Sequence, residues 1–305
     1  MPGHPPPLSR RLTLLANAIS FMAMTSHPIE SASAAFARLE VHHLQRPEGR
    51  IAYRLAGDGP LVVCVPGMGE IAASFRYTLP ALREAGFRVA VMDLRGHGES
   101  DATFSSYDDV AAGTDILALI AHLGGPAIVV GNSMAAGAAV WAAAEEPDAI
   151  SGLGLLGPFV RNAPTHPVAV ALFRLMMLRP WARAAWLTYL PQLYPGRTPA
   201  DFSEHRDAIR AAMTRPGATA AFARTTRTDH SPAEERIPKV TAPALVVMGT
   251  ADPDFTDATA EATWIGEQLH ADVVLVQGAG HYPQAEEPDQ VSPALVAFCR
   301  EVAGA

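Results

Sequence analysis

Short runs of β-branched and aliphatic residues alternate along the chain with longer segments whose apolar positions recur at helical spacing. Runs that predict strands begin at Phe87, Ala127, Ile150, Ala244 and Asp272. Segments that predict helices are Ala72 to Ala85, Tyr107 to Leu123, Met134 to Ala144, Ala258 to Leu269 and Asp289 to Val302. Strands that alternate with helices favour a parallel sheet, because each helix carries the chain back across one face of it. The pattern therefore predicts an α/β fold with a mostly parallel central sheet and helices on both faces.

Three kinds of segment divide the chain. Residues 1–37 have no strand pattern, and we predict a disordered or signal-like leader there. Residues 38–157 and 240–305 carry the alternation and form the predicted core, in which a hairpin precedes the strand Leu61 to Val65. Residues 158–239 carry only helical patterns and interrupt the alternation. This interruption predicts an inserted helical cap.

The leader has three interpretations. Leu12 to Met24 is moderately apolar, follows paired arginines and is too short to span a bilayer. Together with the small residues Ala32 to Ala34, it resembles a signal peptide followed by a cleavage site, which would make the chain an exported precursor. Alternatively, translation begins at Met24 and the preceding residues add nothing to the fold. We expect a cytoplasmic protein, with export as the alternative.

Ser133 stands where a strand pattern meets a helical pattern. The β-branched run that begins at Ala127 stops just before it, and a small-residue helical segment starts at once. A turn this sharp crowds the residues two before and two after the serine, and these are Gly131 and Ala135. The arrangement matches a nucleophile elbow, G-x-S-x-G, with alanine in place of the last glycine. The alternative is that Ser133 merely caps the helix that follows it.

A serine nucleophile needs a base within hydrogen-bond reach and an acid that orients the base. Asp252 lies in the loop that leaves the predicted strand Ala244 to Gly249. His281 lies in a glycine-rich loop after the next predicted strand, so the order along the chain is serine, acid, histidine. Asp254 shares the loop of Asp252. We expect Asp254 to face solvent or to cap the helix that begins near Asp257.

Two further motifs complete a resemblance to the α/β-hydrolase family, which covers about residues 40–303. The first is Val65-Pro-Gly-Met-Gly-Glu70, which follows a predicted strand. Pro66 stands there where the family usually has a histidine. The second is Met92-Asp-Leu-Arg-Gly-His-Gly-Glu-Ser100, which is similar to the family's turn after the fourth strand.

The resemblance implies a serine hydrolase that works through an acyl-enzyme. It assigns the roles of nucleophile to Ser133, base to His281 and acid to Asp252, and it points to the backbone N–H groups of Met68 and Met134 as the oxyanion hole. We expect activity to fall on the acid side with a midpoint near the ordinary histidine pKa of about 6.5, which a neighbouring carboxylate would raise.

Composition narrows the classes of partner. The chain has 305 residues, of which 49% are hydrophobic and 18% charged, so it is long enough to bury a large core. A net charge of −8 without any basic run argues against nucleic acid as a partner. Cys64 and Cys299 are the only cysteines, and we expect two buried free thiols rather than a disulfide. No histidine has a metal-ligand spacing, so we predict neither a metal nor a cofactor.

The strongly apolar cap favours a small, apolar ester or related acyl compound as substrate. Its apolar run is Val168 to Leu178, followed by Trp181 and Trp186. Three alternatives stay open: a carbon-carbon bond hydrolase, since Gly131-Asn-Ser-Met134 resembles the elbow of such enzymes; a cofactor-free haloperoxidase or perhydrolase; and a non-catalytic ligand receptor on the same fold. We expect a small-molecule substrate and no stable membrane insertion, and the oligomeric state stays open.

Overall fold

The computed structural model describes residues 30–162, 172, 173, 175–178 and 180–304. Its strands are β1 (Val41–Arg46), β2 (Gly49–Ala56), β3 (Leu61–Val65), β4 (Arg88–Met92), β5 (Ala127–Asn132), β6 (Ile150–Leu156), β7 (Ala244–Gly249) and β8 (Asp272–Val276). Its α-helices include α1 (Ala32–Ala37), α2 (Thr78–Glu84), α3 (Asp109–Leu123), α4 (Met134–Glu145), α5 (Ala182–Tyr189), α6 (Phe202–Thr214), α7 (Ala218–Thr225), α8 (Ser231–Glu234), α9 (Ala258–Leu269), α10 (Pro283–Glu286) and α11 (Pro288–Ala303). Short 3-10 segments are Ala72–Phe75, Pro147–Ala149, Leu190–Leu193 and Ile237–Lys239.

The strands form one sheet in the order β1-β2-β4-β3-β5-β6-β7-β8. The hairpin strands β1 and β2 run antiparallel to their neighbours, and the pairs from β4 to β8 are parallel. The predicted fold class, a mostly parallel sheet with helices, is confirmed. Because the carboxyl ends of parallel strands meet at one edge, the loops after β3, β5, β7 and β8 come together there.

The core lies on both faces of the sheet. Along β3, Val63 and Val65 belong to one buried apolar cluster, whereas Val62 and Cys64 belong to the other. Successive side chains of a strand point to opposite faces, so a strand that is apolar at every position must be covered on both sides. Cys64 and Cys299 are both buried free thiols, as the sequence analysis expected.

The segment Ala72 to Ala85 does not form the single helix that its periodicity predicts. The structure has a 3-10 segment at Ala72–Phe75 and then α2 from Thr78. Pro80 is the third residue of α2. Proline is tolerated in the first turn of a helix, but its ring clashes with the carbonyl four residues earlier, so a helix cannot run continuously through this position.

The last residues of the predicted leader belong to the folded body. Residues 32–37 form α1, in which Phe36 is buried within the same apolar cluster as Val62. Ser33 donates a hydrogen bond from its backbone N–H to Asp201, 2.9 Å away. An aromatic side chain that buries its surface on the core draws this segment into the fold. Residues 32–37 are therefore part of the fold rather than of a separate leader. Residues 1–29 lie outside the described part of the chain.

The helices α5 to α8 lie between β6 and β7, within residues 158–239, which we call the cap. Part of the apolar run Val168 to Leu178 falls outside the described residues, which include positions 172, 173 and 175–178 of it. The cap is tied to the loop after β3, because Trp186 donates a hydrogen bond of 2.9 Å from its indole nitrogen to the carbonyl of Gly69. Among the helices that the structure describes, none is both long and apolar enough to cross a membrane.

Candidate active site

Ser133 occupies the sharp turn between β5 and α4. Its backbone has φ 58° and ψ −127°, a positive φ that non-glycine residues rarely adopt. A Cβ built on Gly131 would lie 2.5 Å from the carbonyl oxygen of Ala135, so only glycine fits there. The Ser133 side chain accepts no capping hydrogen bond from α4. This geometry favours the strained elbow over the alternative in which Ser133 only caps the helix.

The loop after β3 passes directly against the serine. A Cβ built on Gly67 would lie 2.5 Å from the Cβ and 3.1 Å from the Oγ of Ser133. Met68, the next residue, lines the same cavity as Ser133. Met134 is the first residue of α4, so its N–H has no acceptor within the helix. The two amides that the resemblance assigns to an oxyanion hole therefore belong to segments that flank the serine.

His281 and Asp252 are brought together as expected. The His281 Nδ1 lies 2.7 Å from the Asp252 Oδ2, and both side chains are buried. The His281 backbone is anchored on two sides: its N–H donates to the carbonyl of Leu193, 3.0 Å away, and its carbonyl accepts from the Asn132 amide at 3.2 Å. A ring held this way keeps its Nδ1 on the carboxylate and leaves Nε2 as the free nitrogen.

Asp254 is not where the sequence analysis expected it. Its Oδ2 lies 3.8 Å from His281 Nδ1, and its Oδ1 accepts a hydrogen bond of 2.5 Å from the Tyr189 hydroxyl. The residue that caps α9 is Asp257, which accepts from the N–H of Ala260. The expected exposure is therefore wrong: the loop turns at Pro253, the Asp254 N–H donates to Asp252 at 3.0 Å, and both carboxylates face the histidine.

Buried Asp252 and partly buried Asp254 raise the pKa of His281. Burial alone would lower its pKa, but the charge of Asp252 and its hydrogen bond, with a further contribution from Asp254, raise the pKa to about 9. For Asp254, burial raises the pKa, and the opposing charge of His281 only partly offsets that. The raised pKa is in the direction that the sequence analysis expects when a carboxylate lies beside the histidine.

Asp252, Asp254 and His281 each place one potential metal-ligand atom within 4.8 Å of the others. Spacing along the sequence does not reveal this group, because 29 residues separate Asp252 from His281. The hydrogen bond of 2.7 Å already engages the facing atoms of that pair. A shared proton accounts for this approach without a metal ion.

A cavity of about 300 Å³ contains both Ser133 and His281. The side of the cavity formed by α5 and by the loop after β3 is apolar. The side formed by the cap residues that follow α7 is polar. The lining includes Met68, Trp186, Thr228 and His230. A neighbouring cavity of about 720 Å³ under α5 shares Met68, Phe173, Trp186 and Asp254 with it. The candidate nucleophile and base thus open onto one cavity with an apolar extension.

Several residues of this site escaped the sequence analysis. The Tyr189 contact with Asp254 joins residues that are 65 positions apart, and a His230 contact with Asp109 joins residues that are 121 apart. No local pattern signals either pair. Gly67 had a visible signal, because it lies in the Pro-Gly-Met-Gly motif, but that motif alone did not show that the glycine contacts the serine.

The family comparison agrees with this geometry. A model of the alpha/beta hydrolase family matches residues 62–294. The chain belongs to the α/β-hydrolase family. It is an enzyme of the hydrolase type, and a catalytic triad and an oxyanion hole are typical of its family.

Three comparisons show the range of chemistry among similar proteins. The chain is 29% identical over 262 residues to the 2-(acetamidomethylene)succinate hydrolase of Mesorhizobium japonicum, covering 82% of this chain and 92% of that protein. It is 26% identical over 294 residues to epoxide hydrolase A of Mycobacterium tuberculosis, covering 78% and 90%. A thermophilic esterase from Thermogutta terrifontis, solved with malate bound, has a TM-score of 0.72 and 25% identity, covering 87% of this chain and 99% of that one.

Proposed function

We propose that the protein is a serine hydrolase that cleaves a small, largely apolar ester or related acyl compound through an acyl-enzyme. The observation that carries the proposal is the constellation of Ser133 on a strained elbow, His281 in the same cavity, and Asp252 at 2.7 Å from the histidine. These are the three roles that nucleophilic acyl transfer requires.

The proposed reaction has two halves. The Ser133 Oγ attacks the carbonyl carbon while the Nε2 of His281 takes the hydroxyl proton, and the N–H groups of Met68 and Met134 stabilise the oxyanion. When the tetrahedral intermediate collapses, the bond to the leaving group breaks and the leaving group takes the proton from His281. A water molecule, deprotonated by the same nitrogen, then attacks the acyl-enzyme. The bond between the acyl carbon and the Ser133 Oγ breaks, Oγ takes the proton from His281, and the acid is released. Asp252 orients the imidazole throughout.

A serine elbow suits acyl transfer better than it suits epoxide hydrolysis, the reaction for which the relative from Mycobacterium tuberculosis is named. Attack by the Ser133 hydroxyl on an epoxide carbon would leave an ether, which has no carbonyl for water to attack and would trap the enzyme. An ester intermediate has that carbonyl. The relative from Mesorhizobium japonicum is named for a substrate with an acetamido group, which contains an acetyl group bonded to nitrogen, and this name supports the proposal.

The expected size and polarity of the substrate follow from the two cavities. Together the apolar walls include Met68, Phe173, Met177 and Trp186. Burying methylene groups against such walls contributes about 0.8 kcal/mol each. We therefore expect kcat/KM to rise with acyl chain length until the chain fills the two cavities.

Labelling with a fluorophosphonate and turnover of p-nitrophenyl esters of graded chain length test the proposal. The parent protein should be labelled and should hydrolyse these esters. Ser133→Ala should abolish labelling and lower turnover at least about a thousandfold, because it deletes only the attacking oxygen. Ser133→Ala protein that turned over esters at near the parent rate would refute the assignment.

The same assay separates the alternative functions. Ring-fission dienoates test for a carbon-carbon bond hydrolase, and peroxide-dependent oxidation of halide tests for a perhydrolase or haloperoxidase. A ligand receptor would bind small molecules without turning over any of these substrates. Ester turnover that exceeds both other activities is the expected result.

A further inference from the structure

A second histidine–carboxylate pair faces the catalytic cavity. His230 lines the cavity that contains Ser133 and His281, and its Nδ1 lies 2.8 Å from the Oδ2 of Asp109. The proposed reaction does not use this pair. With Nδ1 engaged by Asp109, Nε2 is the ring nitrogen available to a bound molecule, and no described residue forms a hydrogen bond with it.

The fold makes room for the carboxylate of this pair. Asp109 is the first residue of α3, and its side chain is fully buried. A Cβ built on Gly137 would lie 2.9 Å from Asp109 Oδ2 and 2.6 Å from the carbonyl oxygen of Phe159. Gly137 lies in the interior of α4, where glycine is about 1 kcal/mol less favourable than alanine. Gly137 therefore lowers the helix propensity of α4, but it leaves the room in which Asp109 and Phe159 pack against this helix.

The imidazole is held as firmly as the carboxylate. It stacks on the Phe159 ring at 5.8 Å between centroids and an interplanar angle of 25°, and Phe159 also contacts His281. The His230 backbone N–H donates to the Asn162 side chain at 3.1 Å, and the Asn162 amide in turn donates to Asp229 at 2.6 Å. A side chain held by a hydrogen bond and a stacking contact, on an anchored backbone, loses little further entropy when it binds a ligand.

The surroundings of the pair favour the state in which it keeps its proton. The buried Oδ1 of Asp109 has no hydrogen-bond partner in the described part of the chain, so a negatively charged pair would be poorly stabilised there. Burial raises the pKa of Asp109, and the hydrogen bond and charge of His230 offset only part of that increase. In a pair that is neutral overall, the second nitrogen carries hydrogen whether the shared proton lies on Asp109 or on Nδ1. Nε2 is a hydrogen-bond donor in both forms.

The position of the pair indicates which part of a substrate it contacts. The Thr228 hydroxyl lies 3.7 Å from the sulfur of Met134, the residue whose N–H we assign to the oxyanion hole. The wall formed by Thr228 and His230 thus adjoins the site of the reacting carbonyl. Because the acidic residues Asp108 and Asp229 lie near the pair, it suits an uncharged acceptor better than a carboxylate.

We propose, resting on the acyl hydrolysis proposed above, that His230 is a substrate-recognition residue that donates a hydrogen bond from Nε2 to a second, uncharged carbonyl oxygen in the acyl group. Asp109 is the positioning residue that fixes the ring and retains its proton. The substrate class becomes an acyl compound that is mostly apolar and carries an additional ketone, ester or amide oxygen.

Matched esters test this proposal with the full-length protein. The p-nitrophenyl esters of 4-oxopentanoate and 5-oxohexanoate are compared with those of 4-methylpentanoate and 5-methylhexanoate, in which a methyl group replaces the ketone oxygen. For one of the two pairs, the parent protein should hydrolyse the ketone ester with a kcat/KM about tenfold higher than that of the matched methyl ester. A factor of this size is the effect of one hydrogen bond to an uncharged oxygen. His230→Phe, which can still stack on Phe159, should abolish that preference, and the readout is the ratio of kcat/KM between the ketone ester and the matched methyl ester.

Further variants distinguish recognition from structural support. His230→Gln retains an N–H donor and should keep part of the preference. Asp109→Asn should keep it, because an amide N–H that donates to Nδ1 places the hydrogen on Nε2, whereas Asp109→Ala should reduce it, because the ring loses its hydrogen-bond partner. Fluorophosphonate labelling and thermal unfolding report whether each variant keeps its site and its fold. Loss of activity on ketone and methyl esters alike would make the pair structural and overturn the proposal.

The outcome also separates this inference from the proposed function. A parent protein that is labelled and hydrolyses the methyl esters, but prefers neither ketone ester, refutes recognition by His230 and leaves the serine hydrolase standing. A parent that is not labelled and hydrolyses none of the esters refutes both.

Discussion

Tyr189 of the cap donates a hydrogen bond of 2.5 Å to Asp254, whose other carboxylate oxygen lies 3.8 Å from His281 Nδ1. The cap is thereby tied to the loop that carries the candidate acid. Asp252 lies closer to the histidine, at 2.7 Å, and the two carboxylates surround the same nitrogen. This arrangement makes Asp252 the partner that fixes the imidazole and Asp254 a second charge that tunes it.

The two aspartates should differ sharply in mutagenesis. Asp252→Asn should lower kcat by several orders of magnitude, because an amide at 2.7 Å favours the wrong tautomer of His281. Asp254→Asn can still accept the Tyr189 hydrogen bond and should keep most of the activity. Steady-state kinetics on one p-nitrophenyl ester, with both purified variants side by side, measures the ranking. The reverse order would move the acid to Asp254.

The pH profile should show the effect of both carboxylates on His281. The base must be neutral to accept the serine proton, so kcat/KM falls as pH drops through its pKa, which the structure raises to about 9. The acid-side midpoint of the parent should therefore lie clearly above 6.5. Asp254→Asn removes one of the charges that raise this pKa, and its midpoint should move to lower pH. Equal midpoints for parent and variant would contradict the role of Asp254.

Local sequence patterns predicted the parts of the site that depend on neighbouring residues. The elbow at Ser133 requires small residues two positions away on each side, and this requirement is visible in the letters of the sequence. Asp252 and His281 follow predicted strands, and the parallel sheet gathers such loops at one edge. The sheet and the order of its elements were therefore predictable.

Pairs that form between distant segments were not predictable. His230 and Asp109 meet only because α8 and α3 both pack beside α4, and Gly137 leaves the necessary space. The sequence analysis placed the Asp254 side chain in solvent, because its hydrogen bond with Tyr189 depends on the position of the cap. Phe36 was assigned to the leader because a single buried aromatic residue produces no periodic pattern. Each of these outcomes depends on packing, which one sequence without its relatives does not encode locally.

Gly67 should be essential for activity although it has no functional side chain. A methyl group there would lie 2.5 Å from the Cβ of Ser133, so the loop that carries Met68 must move away. A displacement of about 1 Å costs on the order of a hundredfold in rate when it misplaces an oxyanion donor. Gly67→Ala should therefore lose at least about tenfold in kcat/KM.

Gly124→Ala is the matched control for backbone strain. Gly124 has φ 81° at the end of α3, and a Cβ there would meet nothing within 4 Å. This variant should lose about 1 kcal/mol of stability and keep its kinetics. Parent-like activity of Gly67→Ala, measured with the same ester, would mean that the loop tolerates the methyl group and that Met68 is not held against the serine.

Asp201 should be the most important single carboxylate for stability. It forms two hydrogen bonds of 2.8 Å with the buried Arg76 guanidinium and accepts a third, at 2.7 Å, from the Tyr77 hydroxyl. With Ser33 it joins α1, the segment before α2 and the cap. Asp201→Asn leaves the Arg76 charge buried without a counter-ion, which costs about 3–5 kcal/mol. Urea denaturation of parent and variant measures the free energy of unfolding.

The same carboxylate should make stability sensitive to acid. Burial alone would raise the pKa of Asp201, but the hydrogen bonds and charge of Arg76 outweigh burial and hold the pKa well below its ordinary value. A carboxyl group whose pKa is lower in the folded state than in the unfolded state stabilises the fold when it is ionised. This stabilisation is complete above the unfolded-state pKa of about 3.9 and is lost as pH falls below that value. Asp201→Asn should lose this part of the acid sensitivity, whereas Asp207→Asn, in an exposed pair with Arg210, should behave like the parent. If Asp201→Asn unfolded at the parent's urea midpoint, the buried ion pair would not be holding the cap to the core.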